Sequence, residues 1–222
     1  MKTYHKIQSI FKRDPENRYK TFIEGDWSVP AFGLLQDLEW EFTEKVDGTN
    51  IRVGWDGETV SFGGRSENAQ IPAVLYDHLS AVFTPKRLPR GLTGPATLIG
   101  EGYGGKIQKG SRYQQQQQFI LFDVFIEPDE DHPMGIWLER EVVESIAISI
   151  GIPVVPIVFT APLMDGYEAI QDKPKSLIAE DANLDMEGFV ARPSVELRDR
   201  MGHRIITKVK VKDFVQQRLT QK

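Results

Sequence analysis

A hairpin signal in the sequence Trp55-Asp56-Gly57-Glu58 constrains the fold of this 222-residue chain more than any other feature. Asp-Gly supplies the positive φ angles of a tight turn. Ile51-Arg52-Val53-Gly54-Trp55 therefore reads as one strand and Thr59 to Phe62 as its return, delivering Gly63-Gly64-Arg65-Ser66. A second Asp-Gly, Asp47-Gly48, lies just upstream and closes the alternating run Glu41-Phe42-Thr43-Glu44-Lys45. That run ends on a lysine. A strand edge presenting a single amine suits a nucleophile that must meet its electrophile in line, because a free loop would lose the advantage of orientation. Lys-x-Asp-Gly is also a common strand-turn with a solvated lysine, so the rest of the chain decides between the two readings.

Ile7, Ile10 and Phe11 fall at helical spacing, so residues 1–40 read as a short helix or extended arm with aromatic punctuation at Trp27, Phe32 and Trp40. Val74, Leu75, Leu79 and Val82 make Ile71 to Phe83 an amphipathic helix. Pro85 to Pro95 is a loop, and Thr97 to Glu101 is a buried strand ending in a carboxylate. The glycine-rich Gly102 to Gly110 follows it. Gln114 to Gln118 reads as a polar turn or strand edge leading into the apolar strand Phe119 to Ile126. Leu138 to Ile150 is the best helix, stopped by Gly151 and Pro153. Val154 to Thr160 is strand-like, Asp165 to Asp181 suggests two short helices, Gly188 to Ala191 and Ile205 to Lys210 are strands, and residues 213–219 suggest a short helix. With no repeat and no linker, the expectation is one α+β domain over residues 1–222, its mostly antiparallel β-sheets flanked by helices. The arm to about residue 40 and a basic segment from about residue 192 are its outer parts.

The chain has no cysteine, which excludes disulfides, thiolate metal sites and cysteine nucleophiles and fits a cytoplasmic setting. Met1 to Lys6 lacks the apolar core of a signal peptide and no run approaches membrane-spanning length, so no membrane partner is expected. His5, His78, His132 and His203 are scattered without ligand spacing, which leaves no zinc site. A net charge of -5 argues against indiscriminate nucleic-acid binding. Yet Arg192 to Lys222 holds nine basic residues against three acidic ones, a local attraction for an anionic partner or simply a solvated face.

Lys45, Glu101, Asp123, Glu187, Lys208 and Lys210 all sit in strands or at their ends, where burial is costly without a partner. Alternation in Lys208-Val209-Lys210 points both amines to one face. The two repel unless an anion lies between them, and a phosphate is the natural candidate; an exposed face with two solvated lysines is the alternative. Nearby cations would also help keep Lys45 neutral enough to attack.

Taken in order, Lys45-Val46-Asp47-Gly48, Arg65, Leu98-Ile99-Gly100-Glu101-Gly102, Phe119-Ile120-Leu121-Phe122-Asp123-Val124, Glu187-Gly188-Phe189-Val190 and Lys208-Val209-Lys210 resemble the motifs of the covalent nucleotidyltransferase superfamily, which holds ATP-dependent RNA ligases, DNA ligases and mRNA capping enzymes. Gly100 to Gly110 and Lys208 to Phe214 are most similar to the RNA ligases of the RNA-editing and phage dsRNA-nick-sealing branch. The resemblance implies a ligase-like, ATP-grasp-like nucleotidyltransferase domain and the following roles. Lys45 would attack the α-phosphorus of ATP to form lysyl-AMP. Phe122 would stack on adenine, with the backbone around Glu44 reading its edge. Glu101 would bind the ribose, and Arg65 the ribose or the substrate's 5′-phosphate. Lys208 and Lys210 would hold the α-phosphate, Glu187 would help place Mg2+ or Mn2+, and Asp47 and Asn50 would fix the nucleophile loop. AMP would pass to an RNA 5′-phosphate and an RNA 3′-hydroxyl would seal the strand, an RNA repair reaction. Asp47 stands where nick-sealing RNA ligases often have histidine. Relatives usually carry an appended domain, here expected to be absent, so the basic C-terminal segment or a partner protein would supply the grip on RNA, and self-adenylylation is expected more firmly than sealing. An ATP-dependent DNA ligase, a GTP-dependent capping-type enzyme and a non-catalytic RNA-end-binding module are the alternatives.

Overall fold

A computed structural model describes residues 1–66, 68–108 and 110–214. Along the described chain run β1 (Gln8–Ser9), β2 (Phe11–Arg13), β3 (Phe22–Trp27), α1 (Pro30–Leu35), β4 (Trp40–Lys45), β5 (Thr49–Trp55), β6 (Val60–Gly64) and α2 (Ala73–Val82). There follow β7 (Ala96–Tyr103), β8 (Gln118–Ile126), β9 (Ile136–Trp137), α3 (Arg140–Ile150), β10 (Ile157–Ala161), α4 (Leu163–Ala169), β11 (Gly188–Pro193) and β12 (Thr207–Lys210). These elements form two compact units, one of Met1–His5, Asp47–Val155 and Ala179–Asp181, the other of Lys6–Val46, Pro156–Ile178 and Ala182–Lys222. No helix among the described residues is long and apolar enough to cross a membrane.

In the first unit the sheet order is β6-β5-β7-β8-β9, antiparallel throughout. Asp56-Gly57 makes the expected β5–β6 hairpin, with Gly57 at φ 104°. Ile51, Val53, Leu98 and Leu121 point from the strands into a core completed by Leu75 and Leu79 of α2 and Val143, Ile146 and Ile150 of α3. Spacing of those helical residues at i, i+3, i+4 and i+7 is what made both helices legible. Gly151 ends α3 in the left-handed conformation, its N–H donating to the carbonyls of Ala147 and Ile148. The glutamine run forms the turn that enters β8. Residues 1–5 belong to this unit too: the Lys2 N–H donates to Thr97 Oγ1 and the Tyr4 hydroxyl to the buried Asp123 carboxylate at 2.6 Å. Asp123 is thus held by a structural hydrogen bond.

The second unit is built on the sheet β1-β12-β11-β4-β10, in which β1 runs parallel to β12 and the other neighbours are antiparallel, beside the ribbon β2–β3. Phe32, Trp40, Phe42, Leu163, Ile170, Phe189 and Val209 fill its core. Ile10 and Phe11 are buried in that core from extended chain, which corrects the helical alternative for the arm. Three residues at helical spacing carried too little signal, and the Asp14-Pro15 turn pairs Phe11–Arg13 back onto β3.

The run Val154 to Thr160 is divided at Pro156: Val155 donates to Leu121 of β8, while Ile157 onward pairs with β4. Asp165 to Asp181 holds one helix, α4, and a single 3-10 turn at Ile170–Asp172. Beyond it the chain makes an irregular excursion, closed by Ser176 N–H to Leu184 O and Met186 N–H to Pro174 O. Residues 211–214 are helical, so the last helix starts two residues before the expected 213; residues 215–219 of that expectation lie outside the described residues.

Candidate active site

In the second unit β11 lies between β4 and β12, and Gly188 faces Lys45 on one side and Lys210 on the other. Glu187, the residue before β11, reaches both amines. Its Oε2 is 2.5 Å from Lys45 Nζ and its Oε1 accepts from Lys210 Nζ. All three side chains are largely buried. Burial pushes the Glu187 pKa up, but the charges and hydrogen bonds of Lys45 and Lys210 outweigh it and hold the carboxyl below its usual range. The backbone reinforces the arrangement, since the Val211 N–H donates to Glu187 O at 3.0 Å. Gly188 permits it: a Cβ there would lie 2.8 Å from Lys210 Cα and closer still to Val209 O. Lys208, across from Val190, stands two residues before Lys210 and so on the same face of β12. The expected surroundings of Lys45 were cationic. The structure places a carboxylate against its amine, with the second cation held on the far side of that carboxylate.

Glu44 alternates to the opposite face from Lys45 and is buried. Its carboxylate accepts from Ser176 Oγ at 2.5 Å and from the Leu177 N–H at 2.7 Å, tying the 173–187 excursion to β4. Burial raises its pKa against the pull of those hydrogen bonds. Its own N–H is bonded to Pro156 O. This clamp had no sequence signal, because Ser176 and Leu177 are more than 130 residues away, as their separations of 132 and 133 show.

The remaining predicted residues belong to the first unit. Asp47 donates its N–H to the buried Tyr113 hydroxyl at 3.2 Å. Gly48 is required by close approach, since a Cβ would meet Glu101 Cγ at 2.8 Å and Gly102 O closer still. Asn50 and Glu101 are cross-strand neighbours in the β5–β7 register, on the face opposite the core residues Ile51 and Leu98. Asn50 Oδ1 is buried with no hydrogen-bond partner among the described residues. An orphaned acceptor beside a carboxylate matches what a hydroxyl-bearing ligand such as a ribose needs. Phe122 occupies the β-bulge where the pairing passes from Ile99↔Asp123 to Gly100↔Leu121. Its ring is half-buried and packs edge-on with Tyr4. Arg65 is exposed just past β6. No group of three or more metal-ligating side chains occurs among the described residues. The Glu187 carboxylate is a hard oxygen donor, the kind of ligand that Mg2+ or Mn2+ takes.

A family model described as RNA ligase matches residues 38–210. No curated protein matches the chain by sequence. Solved structures of Naegleria gruberi RNA ligase are similar in fold. A mutant with ATP and Mn superposes with a TM-score of 0.62 at 18% identity, covering 85% of this chain and 54% of that one. A mutant with AMP and Mn gives 0.64 at 18% identity, covering 95% and 58%. The ligase with PPi gives 0.64 at 18% identity, covering 96% and 58%. This chain spans little more than half the length of those proteins.

Proposed function

The chain belongs to the RNA ligase family, and from that premise we propose that it is an ATP-dependent RNA ligase working through a lysyl-AMP intermediate on Lys45. The observation that carries the reading is the Glu187 carboxylate bridging Lys45 and Lys210 across β4, β11 and β12. Lys45 Nζ gives up a proton to water and attacks the α-phosphorus of ATP; a P–N bond forms and the bond to pyrophosphate breaks. Lys210 and Lys208 stabilise the charge that develops on the phosphoryl oxygens. Glu187 keeps the two amines apart and oriented before the nucleotide arrives. Glu187 would hold Mg2+ or Mn2+, which would supply further charge neutralisation. Glu101 and Asn50 hold the ribose, Phe122 stacks on adenine, the Glu44 strand borders its edge, Arg65 meets ribose or the RNA 5′-phosphate, and the Asp47 turn steadies the nucleophile. An oxygen of that 5′-phosphate then displaces Lys45 from the adenylate, and an RNA 3′-hydroxyl displaces AMP to seal the strand. A cytoplasmic setting fits a chain without cysteine.

Incubation with ATP labelled in the α-phosphate and either cation should leave AMP bound covalently to the protein, and Lys45→Ala should take up none. Label persisting in that variant would sink the assignment. Label from GTP in preference to ATP, or sealing of nicked DNA in preference to RNA, would redirect the reading to a capping-type enzyme or a DNA ligase. Sealing assays with and without added cell extract test for a partner protein.

A further inference from the structure

Lys210 is anchored at its own backbone by a side chain that no proposed chemical role uses. Its N–H donates to Asp213 Oδ2 at 3.2 Å, and the other oxygen of that buried carboxylate takes Arg13 Nη2 at 2.7 Å. Residues 211–214 are helical, so Lys210 occupies the N-cap and Asp213 the third helical position. An acidic group there reaching back to the N-cap N–H is one half of a capping box. Such a cap needs no arginine. Yet Arg13 is brought to it from β2, 200 residues away in sequence, and is itself fixed on both sides: its guanidinium lies 4.8 Å from the Phe22 ring centroid and bonds the Tyr19 carbonyl. Phe214, the next residue after the carboxylate, is buried against Phe22 and Tyr167, so the anchor cannot slide along the strand.

We propose that Arg13 and Asp213 are positioning residues for Lys210, through which the β2–β3 ribbon fixes the direction in which that lysine presents its amine. Three bonds set Lys210 in place: Asp213 on its N–H, Glu187 O on the next N–H, and the Glu187 carboxylate on its amine. The first is supplied from outside the site and the other two belong to it. Loss of the Arg13 partner leaves the buried carboxylate without its ion-pair partner, free to turn from the cap, and the strand end then carries the amine off Glu187. Because Lys210 acts on charge that develops during transfer, the loss falls on kcat more than on the KM for ATP.

The inference rests on the proposed adenylylation, and its test separates the two. Arg13→Gln and Asp213→Asn are each made in the native chain and in a Lys210→Ala background, and lysyl-AMP formation is timed. Each substitution should lower kcat about tenfold or more, with the KM for ATP within about twofold, and should cost nothing further where Lys210 is already absent. A merely structural role would impose the same factor in both backgrounds, and that result overturns the proposal. Acylation of lysines by acetic anhydride, followed residue by residue by mass spectrometry, reads the same point without any activity. Lys210 should react several-fold faster in both variants while Lys175 is unchanged. An unchanged Lys210 rate also overturns the proposal. A native chain that takes no AMP defeats the reading of function, and the acylation rates still decide the positioning role.

Discussion

Gly188→Ala tests whether the site depends on the spacing of its two inner strands. An added Cβ would stand 2.8 Å from Lys210 Cα and 3.0 Å from the Val209 carbonyl carbon, where ordinary contact begins at 3.4 Å. Backbone atoms offer no rotamer to relieve the clash, so β11 and β12 must part by at least about 0.6 Å, the difference between 2.8 and 3.4 Å. The separation falls at the Gly188↔Lys210 pair, directly beside Glu187. If a misplacement of about 1 Å can cost about a hundredfold, this one should slow adenylylation at least about tenfold, or about 1.4 kcal/mol of transition-state stabilisation. Stability should fall by about 1–3 kcal/mol, the usual cost of overpacking. Single-turnover labelling with saturating ATP measures the rate, and urea unfolding measures the fold. Gly94→Ala, where a Cβ meets nothing within 4 Å, is the control. A Gly188→Ala rate within about twofold of the native chain would refute the argument that this spacing positions Lys210.

Other expectations follow from the two carboxylates beside Lys45 and from its turn. Burial raises the Glu44 pKa above 4.5, so the folded chain holds that proton more tightly than the unfolded chain. Its contribution to stability is full below 4.5 and is lost as pH rises through the folded value, so the stability of the native chain relative to Glu44→Gln should decline from pH 4.5 toward neutrality. Parallel urea-derived profiles would contradict this. Glu187 has the opposite sign: its lowered pKa gives stability above 4.5 that is lost as pH falls through the folded value, a slope that Glu187→Gln should abolish. Tyr113→Phe removes the acceptor of the Asp47 N–H and should cost about 1 kcal/mol in denaturation and slow adenylylation; no change in either would show that the turn holds without it.

Local chemistry was what the sequence made legible. The Asp56-Gly57 hairpin, α2 and α3 each rest on a pattern contained within a dozen or so residues, and Gly151 with Pro153 marked where α3 ends. The gathering of Lys45, Glu187 and Lys210 was suggested by motif order, and the sheet register now supplies its geometry. Long-range pairing was opaque. Nothing in Gln8 or Ser9 announces Thr207 and Lys208 as strand neighbours, and neither Glu44 nor Arg13 names its distant hydrogen-bond partner. Gly48 was legible as a turn residue for the wrong reason. It serves close packing on Gly102, while β4 and β5 on either side of the turn enter different sheets.

The strand that carries Lys208 and Lys210 lies between β1 and β11, near opposite ends of the described chain. Thr207 Oγ1 bonds the Gln8 carbonyl across 199 residues. Emerging from a ribosome, β1 and β11 must wait with open edges until β12 is made and slots between them. Such pairing has high contact order, which slows folding and lengthens the time for which bare edges can find other chains. The same insertion brings Lys210 onto Glu187, so the last step in completing the sheet is also the step that completes the charge cluster around Lys45. Closing this sheet and pairing Lys210 with Glu187 are thus one structural event.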